Sequence, residues 1–179
     1  MKNIKSIIGV CSVVFALCFL QSCVGIPDGA IAVKDFKKDK YLGKWYEIAR
    51  FDFRFERNLD NTTAQYSLNK DGSIKVLNQG FNYVKKEWDT AEGKAKFVGS
   101  ETEARLKVSF FGPFYGGYNV VAIDEKYENA LIYGNSTDYI WFLSRHKTMD
   151  EATKKKFLEK AKKDGYDVSK LIWVEHNKD

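Results

Sequence analysis

Side chains able to attack a bond, ligate a metal or shuttle protons are scarce in this chain. Neither of its two histidines, His146 and His176, has a serine or an acid at a recognisable motif spacing. Its three cysteines are Cys11, Cys18 and Cys23, so beyond Cys23 no thiol remains for an intrachain disulfide or a metal cluster. No cofactor and no metal are therefore expected. What stands out is cations set among aromatics. Phe53, Arg54, Phe55 and Arg57 share one stretch, Phe111, Phe114 and Tyr115 crowd a Gly-Pro pair, and Lys85 and Lys86 lie between them in the chain. At an open rim, Arg54 or Arg57 can face a phosphate or carboxylate while the rings receive an acyl chain. The alternative is that the arginines pair with Glu56 or Asp60 and the rings cover one another. Glu47 is a lone carboxylate in an apolar run, where it either faces a ligand with a raised pKa or pairs with a nearby cation or hydroxyl.

At the N-terminus Lys2 and Lys5 precede an apolar run over 7–20, too short to cross a bilayer, followed by Leu20-Gln21-Ser22-Cys23. This segment resembles the bacterial lipobox, in which the chain is cut before the cysteine and both its thiol and its new amino terminus are acylated. Residues 1–22 are thus expected to be a cleaved signal peptide, 23–40 a lipidated cysteine and tether, and 41–179 one barrel domain. The alternative is a plain secretory signal with a chance cysteine. Val24 after the cysteine, rather than an aspartate, suits sorting to the outer membrane of a bacterial cell envelope. Gly25, Pro27 and Gly29 suit a loose tether. Removing Lys2 and Lys5 from the formal net charge of +5 leaves +3, spread among acids, which is no footprint for nucleic acid.

Strand-like runs follow over 44–53, 62–68, 73–80, 86–98, 104–110, 117–123, 130–133 and 139–145, with turn signals such as Asn69-Lys70-Asp71-Gly72 between them. Eight short strands in series predict an all-β fold, an up-and-down antiparallel barrel. A helix is expected over 152–163, with Thr148 and Glu151 at capping-box spacing, Phe157, Leu158 and Ala161 on its apolar side and Gly165 at its exit. A short final strand is expected over 171–174.

Side-chain parity then assigns faces. On the first strand Trp45, Glu47, Ala49 and Phe51 share the inner side, and on the eighth Tyr139, Trp141, Leu143 and Arg145 do. The opposite sides are apolar as well, which calls for the helix to cover them. The middle strands offer Tyr66, Leu68, Ile74, Val76, Leu106, Val108, Phe110 and Tyr118 to the interior. Phe51, Tyr66, Val76, Leu106, Val108, Phe110, Tyr118 and Trp141 are the expected ligand contacts, with Phe53, Arg54, Arg57, Phe114 and Tyr115 at the rim. The alternative is a barrel filled by these same side chains. Trp88 and Phe97 stay unassigned, because a bulge at Gly93 would scramble parity.

Gly43 and Trp45 form a Gly-x-Trp at the start of a strand; the glycine lets backbone pass beneath a barrel end that the indole plugs. With Trp45-Tyr46-Glu47-Ile48-Ala49-Arg50-Phe51-Asp52, Arg54-Phe55-Glu56-Arg57, the run from Lys107 to Val120 and Leu143-Ser144-Arg145, the chain resembles the bacterial lipocalins over nearly all of its length beyond Cys23. The resemblance implies that Arg145 packs over Trp45, and that Asp124 and Tyr127 belong to the turn between the sixth and seventh strands. Thr137-Asp138-Tyr139 spells the motif of that turn in the wrong place. It further implies a carrier of fatty acids or lysophospholipids, which agrees with the scarcity of catalytic groups in a chain that is not expected to be an enzyme; the lipobox would hold it at a membrane through acyl chains, and whether two chains pair as a homodimer stays open.

Overall fold

Alternation of apolar and polar side chains, broken by Gly, Asn and Asp turns, builds strands that close on themselves. The computed structural model of the chain describes residues 24–178. The signal segment and Cys23 lie outside the described residues. In chain order the elements are α1 (Lys38–Tyr41), β1 (Gly43–Arg50), β2 (Leu59–Leu68), β3 (Ile74–Asn82), β4 (Glu87–Phe97), β5 (Arg105–Ser109), β6 (Gly116–Ile123), β7 (Asn129–Tyr133), β8 (Ile140–Ser144), α2 (Glu151–Lys163), a 3-10 turn (Val168–Lys170) and β9 (Ile172–Trp173). Strands β2 to β8 pair in sequence, and β1 closes the barrel by pairing with both β8 and β2. The strands end within a few residues of where their patterning places them.

Each strand of an up-and-down barrel carries the chain from one end to the other, so the loops sort into two sets. The β2–β3, β4–β5 and β6–β7 loops lie with the start of β1 at one end. The β1–β2, β3–β4, β5–β6 and β7–β8 loops form the other. Trp45 is fully buried at the first end, donating its Nε1–H to the Tyr41 carbonyl at 2.8 Å. The Arg145 guanidinium lies 3.9 Å from the centre of the Trp45 ring. It donates to the carbonyls of Lys40, Tyr41, Leu42, Lys44 and Tyr127, which gathers three chain segments into one floor. Gly43 has φ +98°, and a Cβ there would meet Arg145 Nη1 at 3.3 Å, so this position needs glycine on both counts. Asp124 accepts from the backbone N–H groups of Glu128 and Asn129 at 2.9 and 2.7 Å, while the Tyr127 hydroxyl accepts from the Lys37 N–H. Thr137-Asp138-Tyr139 sits in the β7–β8 loop at the opposite end.

One apolar cluster lies inside the barrel around Trp45, Tyr66, Val76, Leu106 and Ile132. A second lies outside, where Phe157 and Ala161 of α2 cover Ile48, Leu131, Ile140 and Phe142. The helix is capped two residues later than expected. Asp150, not Thr148, is the N-cap, accepting from the Thr153 N–H at 2.9 Å, because its carboxylate directly precedes the first turn. Gly165 has φ +90°, and the Tyr166 N–H closes onto the Ala161 carbonyl at 2.9 Å, a Schellman ending that turns Tyr166 back onto the barrel.

The expected loose tether is tied down from Gly25 onward. Gly25 carbonyl accepts from Asn119 Nδ2, the N–H of Val33 bonds to Val120, and the N–H groups of Ala104 and Phe36 bond to Val33 and Thr102. Ile26 and Ala30 pack on the outer cluster and Phe36 enters the inner one. Small residues alone do not make a linker when each backbone group finds a partner.

Candidate ligand-binding cavity

Between the Trp45 floor and the opposite loops the barrel encloses a cavity of about 740 Å³. Tyr66, Val76, Leu106, Val108, Phe110, Tyr118 and Trp141 all line it, as do Phe53, Phe114 and Tyr115 of the rim. Phe51 does not. It packs outside, with its ring 6.1 Å from Tyr166. A bulge between Glu47 and Ala49 in the β1–β8 register inserts one residue and reverses parity, so Ile48 and Ala49 both face outward and Arg50, not Phe51, turns inward. Leu68, expected inside, is exposed beside the β2–β3 turn.

No bulge occurs at Gly93. The β3–β4 register runs unbroken from Ile74↔Ala95 to Asn82↔Glu87, which puts Trp88 outside against Phe81 and Phe97 on the inner cluster. Gly93 serves a different purpose, since a Cβ there would lie 2.8 Å from the Phe110 ring. Gly93→Val is expected to destabilise the fold by about 1–3 kcal/mol through this overlap. Urea unfolding measures it, and Gly93→Val with Phe110→Ala should recover part of the loss.

The rim cations are not on the cavity wall. Arg54 lies over the Phe55 ring at 4.8 Å, Arg57 pairs with Asp52 at 3.3 Å and Lys85 with Glu87 at 3.6 Å. Pairing therefore holds for Arg57, with Asp52 rather than Glu56 or Asp60 as its partner. Among the described residues that line the cavity Lys38 is the one cation, and it pairs with Glu101 at 2.8 Å near the floor.

Apart from Lys38, the polar groups of the wall are acidic or neutral. Glu47 is buried and accepts from Arg50 Nη1 at 3.0 Å and Thr62 Oγ1 at 3.1 Å, so it pairs with both a cation and a hydroxyl. Glu56, from the β1–β2 loop, accepts from Trp141 Nε1 at 3.1 Å and stands 3.7 Å from Arg50 Nε. Burial and the neighbouring Glu47 charge push the Glu56 carboxyl up to about 8, against the Trp141 bond and the Arg50 charge. Burial likewise raises Glu47, opposed by Arg50 and Thr62. One arginine thus faces two carboxylates in a nearly dry corner, and the second carboxylate keeps its proton near neutrality.

Arg50 and Glu56 escaped sequence reasoning as site residues, although a cation three residues after Glu47 in an apolar strand was a signal for the pair. Deeper in, the Tyr41, Tyr118 and Tyr66 hydroxyls form a chain, and burial holds all three above the ordinary tyrosine range. Three separate elements supply them, so no local pattern announces this chain. Asn78 also lines the cavity, and its buried Oδ1 has no hydrogen-bond partner, leaving an acceptor for a ligand. Neither His146 nor His176 lines the cavity; His176 Nε2 bonds to the Glu47 carbonyl at 2.8 Å. Among the described residues no group of His, Cys, Asp or Glu is placed to hold a metal ion.

An eight-stranded barrel plugged at one end and hollow above the plug defines the class of cup-shaped β-barrels with an internal cavity. The chain belongs to the lipocalin family: the model of the lipocalin-like domain matches residues 36–176. It is 53% identical over 149 residues to outer membrane lipoprotein Blc of Escherichia coli K12, covering 83% of this chain and 84% of that one. Against outer membrane lipoprotein Blc of Vibrio cholerae it is 48% identical over 157 residues, covering 87% and 92%. Temperature-induced lipocalin-1 of Arabidopsis thaliana is 43% identical over 148 residues, covering 78% of each chain. Among solved structures insecticyanin of the tobacco hornworm Manduca sexta superposes with a TM-score of 0.68 at 21% identity, covering 84% of this chain and 86% of that one.

Proposed function

We propose that this protein is a membrane-anchored carrier that takes up one acyl chain at a time, from a fatty acid or a lysophospholipid. The observation that carries the reading is the cavity of about 740 Å³, walled mainly by Val, Leu, Ile and aromatic side chains and within the roughly 300–1,000 Å³ typical of small-molecule sites. Each methylene transferred from water onto that wall contributes about 0.8 kcal/mol. The chain enters tail first. Glu47, Glu56 and Asp89 line the wall and Lys38 is already paired, so an anionic head group gains nothing by going deep and stays at the rim. Asn78 is the acceptor offered to a hydroxyl of the ligand. This reading assigns no chemical step to the protein, and its mechanism is partition between membrane and cup.

Acylation of Cys23 completes the reading. The lipobox-like segment supports it, as does likeness to proteins named outer membrane lipoproteins. Two or more acyl chains hold a protein stably on a bilayer where one holds it marginally, and the likeness to outer membrane lipoproteins supports the outer membrane of a bacterial envelope as that bilayer. The test is native mass spectrometry of the form starting at Val24 after incubation with a bacterial lipid extract, in parallel with Ala91→Trp. Ala91 lies on the cavity wall in β4, where an indole would occupy the space for ligand. One fatty acid or lysophospholipid per barrel in the parent, and at least a tenfold weaker complex in Ala91→Trp, are expected. A bare mass at every lipid concentration would leave the filled-barrel, structural reading in its place.

A further inference from the structure

Half of the exposed large apolar side chains among the described residues stand at the open end of the barrel. Phe55 on the β1–β2 loop is 65% exposed, Tyr83 and Val84 on the β3–β4 turn 46% and 63%, and Phe111 and Phe114 on the β5–β6 loop 69% and 76%. Phe55 and Phe111 approach to 6.3 Å between ring centres, so loops from opposite sides of the mouth share one apolar crest. A soluble surface rarely collects so much apolar area without a partner. Cations accompany the crest: Arg54 lies over Phe55 at 4.8 Å, Lys107 over Tyr115 at 5.0 Å, and Arg57 and Lys85 stand more than half exposed beside it. Rings flanked by long cationic stems are the composition of a surface that seats at the head-group level of a bilayer.

A second, independent observation gives the occupant. The described chain begins at this same end. Gly25 lies against Gly117, which also adjoins Asn135: a Cβ at Gly117 would fall 2.7 Å from the Gly25 carbonyl oxygen, and that oxygen accepts from Asn119 Nδ2 at 3.2 Å. Gly117 opens β6 and Asn135 lies in the β7–β8 loop, both at the open end. Cys23 stands two residues before Gly25, a reach of at most about 7 Å. The 8 residues of β6 at roughly 3.3 Å each span several times that distance. An acyl anchor at Cys23 therefore cannot place the Trp45 floor on the membrane while the bonds of Gly25 hold.

We infer that the open end of the barrel is a bilayer-docking surface, on which Phe55, Phe111 and Phe114 enter the head-group region and hold the cavity mouth against the membrane. The upper half of β4 supports a passage there, because β5 pairs only with its residues 94–97 and leaves the wall above Gly93 and Phe110 without a strand partner on that side. A lipid then passes from leaflet to cup without crossing water. The inference rests on the reading of Cys23 as the anchor and extends the carrier reading by naming the surface from which ligand is drawn.

The test uses the full chain, expressed with its native N-terminus and reconstituted in vesicles of phosphatidylethanolamine and phosphatidylglycerol, with a nitroxide label at Phe111→Cys or, in a second variant, at Asp71→Cys in the β2–β3 turn of the floor. At 111 oxygen accessibility should exceed that to a water-soluble nickel reagent at least threefold, and at 71 the order should reverse. Equal aqueous accessibility at both positions would overturn the inference. So would spin–spin broadening at 111 without vesicles, which would mean that a second copy covers the crest, and so would an intact mass showing no acyl group on Cys23. Ligand retention is measured on the same samples. Lipid retained with an aqueous label at 111 defeats the docking alone, and a buried label with no lipid retained defeats the carrier alone.

Discussion

Arg145→Ala is expected to lower the stability of the barrel by about 3–5 kcal/mol, the largest loss from any single exchange outside the apolar core. The guanidinium donates to five backbone carbonyls from α1, the start of β1 and the β6–β7 loop and stacks on Trp45. A hydrogen bond from a charged donor contributes about 1.5–3 kcal/mol net, and a cation over an indole about 0.5–2 kcal/mol. The contributions do not add in full, because water reaches part of the floor once the side chain is gone. For a domain of this size the expected loss corresponds to a fall in Tm on the order of 10 °C. Arg145→Lys keeps a charge over the ring but has no planar fork for several carbonyls, and should recover less than half of the loss. Urea denaturation of both variants decides the matter. An Arg145→Ala protein within 1 kcal/mol of the parent would mean that the floor is held by Trp45 burial alone.

Stability is also expected to fall by roughly 2–4 kcal/mol as pH rises from 5 to 8.5, and Glu56→Gln is expected to remove most of that slope. The folded carboxyl of Glu56 keeps its proton to about pH 8, whereas its ordinary value is 4.5. Below 4.5 both folded and unfolded chains hold the proton and the folded state has its full advantage. Between 4.5 and 8 the unfolded chain has released it, so each rise in pH favours unfolding, and above 8 the advantage is gone. Glu47, raised by burial, acts in the same sense. His176, lowered by burial, acts in the opposite one, since the unfolded chain binds its proton more readily. The difference between parent and Glu56→Gln cancels His176 and isolates the carboxyl. The glutamine can still accept from Trp141, so the corner keeps its shape. Stability that is level or rising between pH 5 and 8.5 in the parent, or an unchanged slope in Glu56→Gln, would show that Glu56 is ionised in the folded protein.

The barrel could be read from the chain because its determinants are local. Alternation along β3 and β5 reports the pleat of each strand, short apolar runs buried on both faces mark β7 and β8, and Asn69-Lys70-Asp71-Gly72 reports a turn whatever surrounds it. The family signatures around Trp45 and Arg145 placed the floor. Seven of the eight expected ligand contacts do line the cavity, because parity survives wherever a strand runs without a bulge. Local signals stop at events that depend on a neighbour. The bulge after Glu47 exists because β1 must match β8 on one side and β2 on the other, and it alone exchanged Phe51 for Arg50. Glu56 meets Trp141 across 85 positions of sequence, and Tyr41 meets Tyr118 across 77. The apparent linker before Lys38 became part of the wall once β6 and the segment around Ala104 offered it partners. Strand identity, order and the plugged floor were thus written in short-range pattern. The charge inside the cup, the protonated carboxyl and the end at which Gly25 is held were decided by long-range closure, since only a folded barrel brings those groups together and excludes water from between them.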